Sequence, residues 1–457
     1  MTTFADFEIW VGAATPTGGG WPVHVFSSPA GPAAGTLALD LGAEELQTAL
    51  TQVRSIDPDL ELRKAFGRRL FDALFGGEVL EVWEASRGRI DGGEADGLRL
   101  RLWLEDPALA ALPWELLWSG QFLATDAQLV VSRYLPVREP ARFPLPARLK
   151  VLLVVERPAA LPAIAQAEVD GLTAALAALA PGVEHQVLLN PPLAGIQSAL
   201  QQEPHVFHYL GHGAAGRLFL VGEDGQSVAP VASEELAQLF LGRPSLRLVV
   251  LNACNSAQAD AGGLFSGIGP ALVGKRLPAV IAMQYPFVQL DTAGRFSRAF
   301  YGALANGKAV DVAVNEARQL LSAQGLADRD WSTPVLYMGT RSGRILSPLG
   351  QGDEAWRSVQ KVVRDAGALS ALAELTQVFH EIADRLRRIE ELTVLADRLG
   401  ALRAALSPCR EQVERAGGFV VDFPRLQQDW IPVRTGPWPA LQVFLDGSSA
   451  LAAEPWR

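Results

Sequence analysis

Two unbroken apolar runs, each closed by small or polar residues, limit what this chain can fold into more than any other feature. The first is His205-Val206-Phe207-His208-Tyr209-Leu210-Gly211-His212-Gly213, and the second is Leu248-Val249-Val250-Leu251-Asn252-Ala253-Cys254-Asn255-Ser256-Ala257. A strand that is apolar on both faces has to be covered on both faces, as a central strand of a parallel sheet is by two helix layers. Ligands and reactive groups gather at the carboxyl ends of such strands. If the two strands are neighbours, His212 and Cys254 arrive at one edge, where an imidazole can polarise a thiol for attack on a carbonyl carbon.

The surrounding pattern supports that sheet. From Leu149 onward, strand-like and helix-like stretches alternate: Val151 to Val155, an Ala/Leu helix from Ile164 to Leu179, Gln186 to Leu189, and a helix from Leu193 to Gln201. A hairpin at Arg217 to Val221, a helix from Ser233 to Phe240 and a strand from Ala279 to Met283 follow, then helices Thr292 to Leu304 and Val310 to Ser322 and a strand Thr333 to Met338. This is the rhythm of a parallel α/β sheet, and right-handed crossovers put helices on both of its faces.

The segment before it reads differently. Glycines and prolines between residues 12 and 36 mark hairpins and loops, whereas Glu44 to Val53 and Leu60 to Phe75 space their apolar residues as helices do. Leu98, Leu100, Leu102 and Leu104 alternate with Arg99, Arg101 and Trp103, the pattern of a strand buried on one face. In Leu112-Pro113-Trp114-Glu115-Leu116-Leu117 the proline suits a helix start and the tryptophan a packing anchor. The prolines of Ala141 to Pro146 read as a boundary. The organisation is therefore an α+β segment over residues 1–146, an α/β domain over 147–350 and a helical domain over 351–457. In the last, Leu375, Phe379, Ile382, Leu386 and Ile389 form an apolar seam, and Trp430, Trp438 and Trp456 follow among prolines and glycines.

Composition excludes several classes of function. The chain has 457 residues and a net charge of -10, with no block of Lys and Arg, so neither a nucleic-acid backbone nor an anionic membrane surface is its expected partner. Two cysteines do not make a disulfide framework, which fits a reducing compartment where Cys254 stays a thiol. The first residues lack a basic, then apolar, leader pattern, and no run of about 18 apolar residues occurs, so the expected location is the cytoplasm.

A thiol nucleophile needs a base close by and hydrogen-bond donors where the oxyanion develops. The backbone N–H groups of Gly213 and of Cys254 itself are candidates for those donors, and Asn255 and Ser256 are candidates for orienting the substrate or the loop. Each residue also has a plainer reading. A cysteine ending an apolar run is commonly an inert small hydrophobe, and His205 and His208 read as packed, structural histidines. Three histidines so close raise the thought of zinc, but no second cysteine or paired carboxylate stands at ligand spacing, so no metal and no cofactor are expected.

Residues 149 to 345 resemble the CHAT domain, the caspase-like peptidase module related to separase, caspases and metacaspases. The resemblance rests on Phe207 to Gly213, Leu248 to Cys254, Gly262-Gly263-Leu264, Leu277 to Met283, Phe300 to Gly307 and Ala313 to Arg318. Leu112 to Glu115 is similar to a run found upstream of that module, which associates the first segment with the same architecture. The resemblance implies a caspase-like, mostly parallel α/β sheet sandwiched by helices, with His212 as general acid and base and Cys254 as nucleophile. In metacaspase-like relatives an aspartate two residues before the cysteine grips a basic substrate side chain; here that position is Asn252. Asp260, Gln284 and Asp291 follow strand ends and are the other candidates for the primary pocket, or are solvated loop residues. Many members carry Trp-Pro where this chain has Gln284-Tyr285-Pro286.

The function expected from this reading is a cysteine endopeptidase that cuts a specific intracellular protein partner in a bacterial regulatory or defence pathway. The seam of residues 351–457 would pack on the peptidase domain, or would recruit that substrate or an activating protein. The competing reading is a catalytically silent caspase-like scaffold that binds proteins through the same residues. A third reading is a small-molecule acyltransferase or amidohydrolase on the same pair.

Overall fold

Apolar residues at strand spacing and helix spacing in turn build a single mixed sheet, seen in a computed structural model. The structure describes residues 3–14, 20–55, 59–137, 146, 148–214, 216–222, 224–253, 267–285, 291–323, 325–341 and 343–346. The first of two compact units spans Met1–Ser347. The second, Pro348–Arg457, lies outside the described residues, and with it the Leu375 to Ile389 seam and the three C-terminal tryptophans.

The unit opens with strands β1 (Phe4–Val11), β2 (Trp21–Ser27) and β3 (Ala33–Leu37), helices α1 (Glu44–Val53), α2 (Leu60–Leu74) and α3 (Glu78–Asp91), strand β4 (Gly97–Leu104), the short helix α4 (Pro107–Ala110) and strand β5 (Leu129–Tyr134). It continues with β6 (Leu149–Val155), α5 (Gln166–Ala177), β7 (Val183–Leu189), α6 (Leu193–Leu200), β8 (Val206–Ala214), β9 (Arg217–Val221), β10 (Val228–Ala232) and α7 (Ser233–Phe240). It closes with β11 (Leu248–Ala253), α8 (Ile268–Gly274), β12 (Ala279–Met283), α9 (Thr292–Ala305), α10 (Val310–Ser322) and β13 (Pro334–Met338).

The strands run in the order β10-β9-β8-β11-β12-β13-β5-β4-β1-β2-β3, with β6 and β7 branching from β8. Strands β6, β7, β8, β11 and β12 are mutually parallel. Strand β13 returns antiparallel to β12, and β5 and β4 continue parallel to it. The sheet thus runs unbroken through residues on both sides of the proline-rich stretch near 146, and the first segment extends the α/β sheet.

Burial explains the layers. Leu153, Val155, Leu210, Val250 and Ile281 face one core with Leu172 and Leu176 of α5, Phe296 and Phe300 of α9 and Val314 of α10. Val154, Phe207, Tyr209, Val249 and Leu251 face the other with Ile196 of α6, Phe240 of α7 and Leu272 of α8. Alternate residues of β8 and β11 thus meet different helix layers, as two-residue periodicity requires. Among the described residues no helix is long and apolar enough to cross a membrane.

Helix α3, which the spacing above does not cover, buries Val79, Trp83 and Ile90 against the core, and one detail of the first segment departs from its sequence reading. Strand β4 is buried on both faces: Arg99 and Arg101 are 7% and 1% exposed, because Asp6, Glu8 and Asp311 stand beside them as counter-charges. Charged alternation here signals an internal ion cluster instead of a wet face. Pro113 precedes a short 3-10 turn, Trp114–Leu116, in which the fully buried Trp114 donates its indole N–H to the Leu109 carbonyl at 2.7 Å.

Candidate active site

The register of β8 against β11 decides which residues share the carboxyl edge. The strands pair from Val206 with Leu248 up to Gly211 with Ala253. His212 is the residue after the first member of the final pair, and Cys254 is the residue after the second. Cys254, Asn255, Ser256 and Asp260 lie outside the described residues. His212 and Gly213 are described, and a Cβ placed on Gly213 would stand 3.5 Å from the Ala253 methyl carbon, so the two strand ends touch.

His212 is 3% exposed and its Nε2 lies 2.8 Å from the Pro162 carbonyl oxygen. A carbonyl only accepts, so this contact assigns the proton to Nε2 and makes Nδ1 the basic nitrogen. Pro162 belongs to the loop after β6, the neighbour of β8. The backbone around His212 is fixed from the other core. The Tyr209 hydroxyl lies 2.8 Å from both the His212 and the Phe219 carbonyl oxygens and shares its proton between them. Gly211 permits this, since a Cβ there would collide with the Tyr209 phenol.

The other histidines of the run have separate roles. His205 Nδ1 accepts the Lys150 backbone N–H at 2.9 Å, and burial, then the charge of Lys150, lowers its pKa to about 4. His208 Nδ1 pairs with the Tyr301 hydroxyl at 2.8 Å in the core, where burial lowers its pKa to about 3. Both are neutral at physiological pH, and His212 is the histidine placed at the strand end.

Of the pocket candidates, Asn252, Gln284 and Asp291 are described. Asn252 is buried within β11, at 2% exposure. Gln284 directly follows β12, and its side-chain amide donates to Glu115 Oε2 at 3.2 Å and to the Ser332 carbonyl at 2.7 Å. Glu115 also receives Arg133, 2.8 Å away, and both members of that ion pair are buried. Gln284 is thereby tied into a buried network that runs back to the first segment. Asp291 precedes α9 with its side chain largely exposed, 3.1 Å from Arg295.

Sequence reasoning missed two groups at this edge of the sheet. One is the Pro162 carbonyl, a backbone group in a loop that no side-chain pattern reveals. The other is Glu156, which follows β6 and is fully buried. Its signal was legible, since a carboxylate directly after five apolar residues sits at the reactive edge of a parallel sheet. Among the described residues no three His, Cys, Asp or Glu side chains cluster to hold a metal ion.

A family model described as the CHAT domain matches residues 64–339, more than half of the chain. No curated protein matches. Among solved structures, the chain is similar to caspase-1 from Spodoptera frugiperda, at 17% identity and a TM-score of 0.31 over 47% of this chain and 97% of that one. It is also similar to the Drosophila initiator caspase Dronc, at 14% identity and a TM-score of 0.29 over 44% of this chain and 84% of that one. Raptor from Chaetomium thermophilum aligns at 14% identity and a TM-score of 0.23, over 37% of this chain and 19% of that one.

Proposed function

The chain belongs to the CHAT domain family, and from that membership we propose that it is a cysteine endopeptidase in which His212 and Cys254 act as a dyad on an intracellular protein substrate. The observation that carries this reading is the parallel register pairing Gly211 with Ala253, because His212 and Cys254 are the residues that follow this pair in the sequence.

In the proposed reaction, Nδ1 of His212 takes the thiol proton of Cys254 while the Pro162 carbonyl holds the Nε2–H. The thiolate attacks the carbonyl carbon of the scissile peptide, and the backbone N–H groups of Gly213 and Cys254 stabilise the oxyanion. The imidazolium returns its proton to the departing amine, leaving a thioester. His212 then takes a proton from water, whose oxygen attacks the thioester carbonyl; the C–S bond breaks, the acid is released, and the imidazolium returns its proton to the Cys254 sulfur. Asn252, Asp260, Gln284 and Asp291 are the proposed determinants of which side chain precedes the cut. Residues 351–457 are proposed to recruit the substrate or an activating protein, in a cytoplasmic regulatory or defence pathway of a bacterium.

The test is the rate at which iodoacetamide alkylates each cysteine near pH 7. Cys254 is expected to react faster than Cys409 and to lose that advantage in His212→Ala. Equal rates at both cysteines, unaffected by His212→Ala, would remove the dyad and favour a binding scaffold.

A further inference from the structure

Strand β8 changes neighbours along one of its edges, and the change falls beside His212. Residues 206–210 pair with β6, whereas residues 212–214 pair with β9. Glu156 occupies the junction. Its backbone N–H donates to the Leu210 carbonyl at 2.8 Å, extending the β6 ladder by one bond. Its Oε2 accepts the Val221 backbone N–H of β9, also at 2.8 Å. The side chain is wholly buried, and its Oε1 has no hydrogen-bond partner among the described residues.

We propose that Glu156 is a positioning residue of the active site, a clamp that fixes the β8–β9 hairpin, and with it His212, from the junction between β6 and β9. The proposal rests on the dyad reading above. Two supports of the histidine lead back to this residue. The hairpin that carries His212 opposite Phe219 ends at Val221, the group that Glu156 holds. The loop that presents Pro162 to Nε2 begins at Glu156.

The clamp works in its protonated form. Burial pushes the carboxyl up to about 8, against the opposing pull of the Val221 N–H, and no charged side chain contributes. Lys150 on β6, Arg157 in the following loop, His208, Tyr209 and His212 on β8, Arg217 on β9 and Asp224 beyond it are the titratable or charged groups of the surrounding elements. As the pH passes about 8, ionisation places an uncompensated charge in this junction and loosens the hairpin.

The test compares the full-length wild type with Glu156→Ala, Glu156→Gln and His212→Ala at pH 6.5 and pH 9. Its two readouts are hydrogen exchange of residues 206–222, corrected for intrinsic rates, and alkylation of Cys254. In Glu156→Ala the hairpin is expected to exchange about fivefold faster, the equivalent of one net hydrogen bond, and Cys254 alkylation to slow by a similar factor. Glu156→Gln, which keeps an uncharged acceptor for Val221, is expected to restore both and to hold its protection at pH 9, where the wild type loses it. If the alanine variant does not fold, the pH dependence of wild type against Glu156→Gln decides alone, and identical protection at both pH values overturns the proposal. Faster exchange in Glu156→Ala with unchanged Cys254 reactivity also overturns it, since Glu156 would then be structural only. Loss of Cys254 reactivity in His212→Ala but not in Glu156→Ala rejects the clamp and spares the dyad. Indifference of Cys254 to His212→Ala rejects the dyad itself.

Discussion

Replacing Glu156 by glutamine removes one titrating group from the interior, and the consequence for stability follows from linkage. In the folded chain the carboxyl is held at about 8 against an ordinary value of 4.5, so between these values the folded state binds a proton that the unfolded state has released. Stability from this group is full below about 4.5 and is lost as the pH rises through about 8. The loss proceeds at about 1.4 kcal/mol per pH unit and reaches a ceiling of about 5 kcal/mol over the whole interval. If ionisation loosens the β8–β9 hairpin as proposed, hydration of the carboxylate holds the realised loss below that ceiling. Glu156→Gln carries no such term, so its stability relative to wild type should climb from pH 5 to pH 8 and then level. The assay is urea unfolding of the two proteins in parallel, followed by fluorescence of the 11 tryptophans, at pH 5, 6, 7, 8 and 9. Pairing the proteins at each pH cancels the contributions of every other titrating group. A difference that stays flat within about 1 kcal/mol from pH 5 to pH 9 would refute the reasoning.

Other consequences concern groups buried around the site. Glu115→Ala strands the buried Arg133 guanidinium and frees the Gln284 amide, and should cost about 3–5 kcal/mol in urea unfolding; a loss below about 1 kcal/mol would mean that the pair contributes little. Tyr301→Phe leaves His208 Nδ1 without its 2.8 Å partner, and should cost about 1–3 kcal/mol while Cys254 alkylation stays as in wild type. Gly211→Ala forces the Tyr209 phenol away from the His212 and Phe219 carbonyls, and should destabilise by about 1–3 kcal/mol and slow Cys254 alkylation. Unchanged reactivity in that variant would show that Tyr209 has no part in holding His212.

Periodicity made the central strands legible because the residues of β8, β11 and β12 are buried on both faces, so their apolar runs had no other use. The helices with one dry stripe were equally plain, and α7 and α10 lie where Ser233 to Phe240 and Val310 to Ser322 predict. What escaped was set by partners distant in sequence. Arg99 and Arg101 read as solvent-facing because nothing local announces Asp311, 212 residues from Arg99. Gln284 read as a free loop amide because its partner Glu115 is 169 residues away. The place of His212 near the end of β8 was legible from the apolar run that leads to it. The Pro162 carbonyl was not, since a backbone oxygen leaves no mark in the sequence. Glu156 bears no motif of its own, and only the pairing of β6 with β8 brings it to the edge that holds His212.

Cleavage of a diverse peptide mixture by the full-length protein, read by mass spectrometry beside Cys254→Ala, Cys409→Ala and His212→Ala, tests the central claim most directly. The account predicts a defined set of cuts that persists in Cys409→Ala and vanishes in Cys254→Ala and His212→Ala. The same cuts surviving in Cys254→Ala, or equal losses in Cys254→Ala and Cys409→Ala, would contradict it.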